Sequence, residues 1–576
     1  MFRGICNLQR LLLAAACAFV LILCYFLIRP YAEIGINDDW VYIKDALKVA
    51  QTGHISYSGT ETPILGWQLY FGALFIKLFG FSFTAVRLAT VIEAMATAFV
   101  LERTFERAGL NLQNATLATA TFVLSPLYLP WTFAFMSDIS GVLCIVVCSY
   151  MCLRALEARS QNSAMAWISL AALVNAAGGT ARQIAWLGAL LMVPSTLWFL
   201  RKSRRAFLVG SIAWIAAVAF VVAAMHWFAR QPYSIPEPLP DRIGFDLLKN
   251  FGRAVLGGAG VLALFALPVL LFFAISLRSW KRYAAALAAV LAIAPIHWLK
   301  IDKWPANVAY NAITTRSFER LNAIAAEETH LAAARYGLRM LLTGATLFGL
   351  LCLVLCCFER RRGRSAAQQE ATAISWQKLG VIFGPFSAAY LALLALQPAI
   401  FDRYFLPLLA ILLLVLTRFY QERVQAKVPL ASVSLIVLFG AFSVAATHDN
   451  FALYRGYASA IDELRASGTP ATAILGPWEY GGWTEVEKAG YVNDSRIQVP
   501  KGAYLPQPAR LLPANCTQWF FGALEAMPAL EPAYAVSSSP QECGGQVAYP
   551  PVTYRTWIAP RVNTIYAVRL PPSFPH

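Results

Sequence analysis

A chain of 576 residues that is 58% hydrophobic and only 14% charged, with a mean hydropathy of +0.56, is too apolar for a soluble globule and reads as a multi-span membrane protein. Its formal net charge of +16 falls largely in short links between apolar runs, and no aromatic-interleaved basic tract points to nucleic acid as a partner. Most of the 11 cysteines lie inside apolar runs, and no CxxC pair or Cys/His cluster offers a metal site.

In chain order, Arg3 and Arg10 precede an apolar run over 10–28 of spanning length, which lacks a small-residue cleavage site and is read as a retained anchor. Beyond it, IGINDDWVYIKDALKVAQTGHISY (34–57) sets Asp38 and Asp39 side by side within a few turns of the bilayer surface. Two readings compete. In one, Asn37 caps a short helix whose first turn holds both carboxylates against free backbone N–H groups, with Trp40, Ile43 and Leu47 on the membrane surface and Lys44 and Lys48 in water. In the other, charge at this depth serves chemistry. Surface-lying helices are expected in the outer segment 30–83, one from Asp38 to Gln51 and one over 63–80, punctuated by Gly59, Pro63 and Gly80.

The next run ends in ERTFER, whose Arg103 and Arg107 mark the inside. Residues 115–130 return outward and deliver PWTFAFMSD, where Asp138 opens the following span. Basic links at Arg154 and Arg159, at 201–205, 278–282 and 359–364 continue the positive-inside alternation. Outer loops 229–252 and 299–336 are long enough to carry function. Arg182 and Gln183 lie near the outer end of a span, where Arg182 either pairs with Asp138 or meets a lipid phosphate. Arg403, beside Asp402, is either neutralised by it, turned to the headgroups or set against a substrate. His54 and His297 are isolated, and Arg316 and Arg320 have the spacing of a solvated helix face.

Two more spans reach about Ala446, giving about thirteen transmembrane helices in a module over 1–446. From His448 the composition turns polar. YASAIDELRASG reads as an amphipathic helix closed by Gly468, and TAILG, VTYRTW and TIYAVRL read as strands, so 447–576 is expected to form a small α/β soluble domain on the outer face. Trp478, Trp483 and Trp519 are read as core or membrane-facing aromatics. Cys516 and Cys543, the cysteines of that domain, are expected to pair because its compartment is oxidising.

Five stretches then occur in a telling order: NDDWVYIKDAL, TPILGWQLYFGALFIKLFGFSFTAVRLATV, FMSD (135–138), TARQIAWL (180–187) and DRYFLP (402–407). Together they resemble the GT-C superfamily of membrane glycosyltransferases, in the branch of the protein O-mannosyltransferases and the lipid A aminoarabinose transferases. The likeness is best over the first 200 residues, moderate around Arg403 and only topological over 206–378. It implies the GT-C fold, a polyprenyl-phosphate-linked sugar as donor, and an acceptor glycan, lipid or protein. It also implies a place in the bacterial inner membrane with the C-terminal domain periplasmic, and Asp38 as the catalytic carboxylate, with Asp39 and Tyr42 at the next matching positions. Val41 and Thr62 stand where the aminoarabinose transferases carry Arg and Lys.

The chemistry implied is an inverting transfer. Phosphate is already a good leaving group, so one general base and cationic contacts suffice, whereas soluble glycosidases need two carboxylates about the bond. Asp38 is the expected base, Asp39 and Asp138 orient acceptor and backbone, and Arg182, Arg403 and Tyr42 hold the donor phosphate. The residues name no cofactor and leave a divalent metal open. The alternative class is a non-enzymatic lipid or polysaccharide transporter with Asp38 and Asp138 as cargo or ion sites. Such a protein would show paired interrupted helices in two related halves, whereas here the acidic groups gather at one face.

Overall fold

The computed structural model describes residues 2–236, 245–276, 374–397, 400–424, 430–508 and most of 512–574, with scattered positions between 284 and 353. The loop 299–336 with Arg316 and Arg320, His297, Trp519 and the basic links at 278–282 and 359–364 lie outside the described residues.

The first half gives α1 (Phe2–Ile28), α2 (Asp39–Thr52), α3 (Gly66–Phe79), α4 (Phe83–Arg107), α5 (Leu112–Val123), α6 (Ser137–Glu157), α7 (Gln161–Gly178), α8 (Val193–Leu200) and α9 (Arg204–Phe228). Further along come α10 (Phe245–Phe265), α11 (Trp376–Ala395), α12 (Leu406–Arg423), α13 (Leu430–Ala466) and α14 (Trp478–Ala489). Eight stretches among the described residues are long and apolar enough to cross a membrane, against the thirteen or so expected. Rows of exposed apolar side chains, such as Leu12, Phe19, Leu23 and Phe26 on α1 and Ile212, Ile215 and Val222 on α9, would be a liability in water. Against acyl chains they are at no disadvantage.

Helix α6 sits at the centre of the amino-terminal bundle, packed between α4 and α7, with α9 beyond α7. Lipid tails give no hydrophobic drive for helices to associate, so close approach through small residues matters. Gly178 supplies it, since a Cβ there would lie 2.5 Å from Cys144 Sγ. At one end of the bundle, Arg10 pairs with Glu106 at 2.9 Å and Arg107 with Glu157 at 3.2 Å. Asp38 and Asp138 lie at the other end.

The outward return over 115–130 departs from a regular span. Helix α5 stops after 12 residues, and Pro126 and Pro130 turn the chain beyond it into a 3-10 turn over Leu129–Phe133. Irregular backbone at membrane depth is tolerated only when protein encloses it. Tyr128, Trp131, Phe133 and Phe135 are all completely buried, and Tyr128 donates its hydroxyl to the Ala94 carbonyl at 3.0 Å.

The expected break near Ala446 is also absent. Helix α13 runs unbroken for 37 residues, about 55 Å, because no Gly or Pro interrupts 441–455. Its outer half is the spine of the C-terminal domain. There β1 (Ile474–Leu475), β2 (Tyr534–Ser537), β3 (Gln546–Val547), β4 (Val552–Arg555) and β5 (Val562–Arg569) form a sheet in the order β1-β2-β5-β3, with β4 paired to β5. Among the described strands, only β1 and β2 run parallel. A disulfide joins Cys516 and Cys543.

Candidate active site

Asp38 and Asp39 lie at the start of α2, and the fold treats them differently. Asp39 is fully buried and meets Arg87 of α4: Nε donates to Oδ2 at 2.7 Å and Nη2 to Oδ1 at 3.2 Å. The same guanidinium donates to the carbonyls of Ala32 and Ile34, while Asp39 Oδ1 accepts the Ile36 N–H at 2.6 Å. A buried ion pair is tolerable only when its remaining hydrogen bonds are met, as they are here. Asp39 and Arg87 therefore pin the loop after α1 to α4.

Asn37 is not the cap. Its backbone is left-handed, with φ of 54°, and its N–H donates to Glu479 Oε1 of the C-terminal domain at 2.8 Å. Asp38 occupies the N-cap position but makes no side-chain capping bond. Among the described residues its carboxylate has no hydrogen bond or ion pair, and it is exposed to solvent. Trp40 and Ile43 do not face the membrane surface either. They are buried, with Trp40 lying against Gly482 and Trp478 of α14. Lys44 sits 3.9 Å over the Trp483 ring and 3.0 Å from Glu487. The apolar stripe of α2 is thus a seat for the C-terminal domain, made possible by the shallow Gly481–Gly482 face of α14.

Asp138 enters from the first turn of α6 and is buried. Arg182 Nη1 lies 2.9 Å from its Oδ1 and also donates to Ser137 Oγ at 3.2 Å. Arg403 Nε lies 3.4 Å from its Oδ2. One carboxylate therefore stands between two guanidinium groups: Arg182 makes the pairing with Asp138 that was one of its two readings, and Arg403 reaches the same carboxylate, which was not among the readings for it. Aromatic faces frame them: Arg182 is 4.7 Å from the Tyr404 ring centre, and Arg403 is 4.6 Å from Trp131 and 4.2 Å from Phe401.

The placement of Arg182 stems from the GGT turn ending α7. A Cβ on Gly179 would lie 2.1 Å from Trp186, so that indole can close over the turn and donate to the Ala176 carbonyl at 2.7 Å. Trp67 of α3 donates to the Gly178 carbonyl at 2.8 Å. The stem of Arg182 then crosses α6 at Gly141, where a Cβ would sit 3.1 Å from its Cδ. Gln183 donates to the Thr62 carbonyl at 3.1 Å rather than reaching the charged cluster. Arg403 is delivered by the 3-10 turn Asp402–Phe405 that precedes α12.

Crowding by protein pushes the Asp38 carboxyl pKa up; Arg403 opposes this, and Asp138 and Asp39 add to it. Tyr42, one turn along α2, is held well above its ordinary value by burial first and by the Asp38 charge next, so it stays a neutral hydroxyl. Asp38, Tyr42, Asp138, Arg182 and Arg403 are thus brought together, and Asp39 is turned away to Arg87. Arg182 and Arg403 share the Asp138 carboxylate, and Asp38 stands close to Arg403 as a second carboxylate without an ion pair of its own among the described residues. Such a cluster can hold an anion and take a proton beside it. Among the described residues, no group of three or more His, Cys, Asp or Glu is placed to hold a metal ion.

Sequence reasoning missed Arg87, Glu479 and Trp131. Arg87, an isolated cation inside an apolar run, carried a signal. Glu479 carried none, because its partner Asn37 is 442 residues away.

The fold and the cluster define a polytopic membrane protein with a charged site at one end of its helices. Residues 62–228 match the family model for dolichyl-phosphate-mannose-protein mannosyltransferase. That stretch holds Asp138 and Arg182, begins beyond Asp38 and ends before Arg403. It agrees with the resemblance to membrane glycosyltransferases read from the ordered motifs. Among solved structures, the chain is similar to ArnT from Cupriavidus metallidurans bound to undecaprenyl phosphate, with 13% identity, 96% of this chain and 97% of that chain covered, and a TM-score of 0.37. It is also similar to the oligosaccharyltransferase AglB from Archaeoglobus fulgidus in complex with an inhibitory peptide and a dolichol-phosphate, with 14% identity, 94% and 70% covered, and a TM-score of 0.40. A third is the arabinosyltransferase EmbB from Mycobacterium smegmatis, with 14% identity, 79% and 42% covered, and a TM-score of 0.34. A search of curated proteins finds no match to the sequence.

Proposed function

We propose that this protein transfers a sugar from a polyprenyl-phosphate carrier to an acceptor hydroxyl on a lipid, glycan or protein, at the outer face of a bacterial inner membrane, with the C-terminal domain in the periplasm. The observation that carries this reading is the unpaired, accessible carboxylate of Asp38 beside two arginines that share Asp138. Asp38 takes the proton of the acceptor hydroxyl as that oxygen attacks the anomeric carbon. The bond from that carbon to the phosphate oxygen breaks on the opposite face, so configuration inverts. The departing oxygen keeps the electron pair, and Arg182 and Arg403 stabilise it where charge develops.

Asp138 fixes the two guanidinium groups instead of meeting the acceptor, Tyr42 donates its hydroxyl to a substrate oxygen, and Asp39 acts through Arg87 on the shape of the loop. The test uses the full chain reconstituted in lipid and a panel of polyprenyl-phosphate sugars. Asp38→Asn keeps shape and charge-free hydrogen bonding but cannot accept the proton, so transfer should fall about a hundredfold or more while donor binding persists. Near wild-type transfer by Asp38→Asn would remove this residue from the mechanism.

A further inference from the structure

Where α13 passes from its apolar half to its polar half it borders a cavity of about 320 Å³. His448, Arg455 and Ser459 of α13 line one side, and Thr553, Arg555 and Trp557, from β4 and the turn after it, line the other. Its depth is set by two spans. The apolar run of α1 ends at Ile28, and Arg29 comes directly after. Arg455 Nη1 donates to the Arg29 carbonyl at 2.6 Å and lies within 3.4 Å of the Tyr31 carbonyl. The cavity therefore opens at the level of the lipid headgroups, where exposed Tyr31 and Trp557 are the residue types that belong at that boundary.

Charge makes the cavity unusual. Arg29 and Arg455 are near enough to repel each other. Among the described residues, neither of them nor Arg555 takes part in an ion pair. The acid on this stretch of α13, Asp449, is already engaged: its carboxylate accepts the Trp557 N–H at 2.6 Å and the Ile558 N–H at 3.0 Å, and meets His448 Nδ1 at 3.0 Å. His448 in turn lies flat on Trp557, with centroids 3.9 Å apart. The wall is therefore rigid, and the arginines have no internal counter-charge. Three unneutralised cations at one membrane level attract an anion.

We propose that this cavity binds the phosphate of an anionic phospholipid from the surrounding leaflet. Arg455 and Arg555 hold the phosphate oxygens, and Thr553 and Ser459 offer hydroxyls to the headgroup. The proposal does not depend on the sugar-transfer reading, because none of these residues belongs to the charged cluster around Asp38.

The test is native mass spectrometry of the delipidated full chain with phosphatidylglycerol, phosphatidylcholine or inorganic phosphate added separately. The expected result is preferential retention of phosphatidylglycerol. Loss of one charge-assisted hydrogen bond in Arg555→Gln should lower that retention about tenfold, and Thr553→Glu, which sets a carboxylate in the cavity, should do the same. Both positions are exposed, so melting temperature should hold and separate lost binding from lost folding. Arg455→Gln is a poorer reporter because that side chain also holds the loop after α1. Equal phosphatidylglycerol retention in wild type and both variants would overturn the site. Retention of inorganic phosphate without phosphatidylglycerol would overturn the lipid as its source.

Discussion

A base must be ionised to accept a proton, and the crowding of protein around Asp38, together with Asp138 and Asp39, raises its pKa while Arg403 restrains it. The acid limb of kcat/KM should therefore lie above the ordinary carboxylate range of about 4. Removing the restraint in Arg403→Ala should move the limb further up, and Asp138→Asn should move it down. A limb that stays put in both variants would assign the titration to another group. Asp45, on the same helix, offers a second test. It and Glu61 are fully buried, and burial and then the Glu61 charge push the Asp45 pKa well up, so Asp45 keeps its proton above the ordinary carboxylate range. A folded pKa raised above the unfolded one gives stability that is complete at low pH and lost as pH rises through the folded value. Melting temperature should thus decline on the alkaline side in wild type. It should be flatter in Asp45→Asn, whose amide does not titrate. A wild-type melting temperature that climbs over that range would refute the raised Asp45 pKa.

Between elements, contacts depend on glycines that leave room for larger neighbours. A Cβ at Gly482 of α14 would lie 2.4 Å from Trp40 Cζ2. Gly482→Val should therefore cost about 1–3 kcal/mol in denaturant unfolding and lower transfer too, since Glu479 on the same helix holds Asn37 next to the base. Gly141→Leu should leave the fold inserted but displace the stem of Arg182, raising KM for the donor more than it lowers kcat. The elements themselves are largely readable in the sequence. Unbroken apolar runs mark α1, α4 and α6, and Gly and Pro punctuation marks α2 and α3 to within three residues. The continuity of α13 is hidden because a change of composition resembles a boundary, although a helix propagates wherever nothing breaks it. Strand β2 is hidden because YAVS is too short to show alternation. Asp38 is legible, but the different fate of Asp39 is not, since it depends on Arg87, 48 residues away.

Across the whole molecule, the C-terminal domain grips the first outer segment at separate points. Trp40 meets α14, the Val492 N–H donates to the Ser58 carbonyl at 2.7 Å, and Arg455 holds the Arg29 carbonyl. Within that domain, the Cys516–Cys543 bond closes a loop of 27 residues. Replacing both cysteines with serine should cost about 2–4 kcal/mol, read as earlier proteolysis of the domain while the helical bundle stays protected. The grip also has a temporal side. Asn37, beside Asp38, is made well before the glutamate that holds it, which lies 442 residues further along the chain. A growing polypeptide therefore carries Asp38 on a loop that still lacks this support, and under the proposed function a donor would meet a finished site only once the C-terminal domain has docked. A chain stopped after Gly468 should insert all its preceding spans and transfer no sugar, so that incomplete copies do not discharge the donor pool.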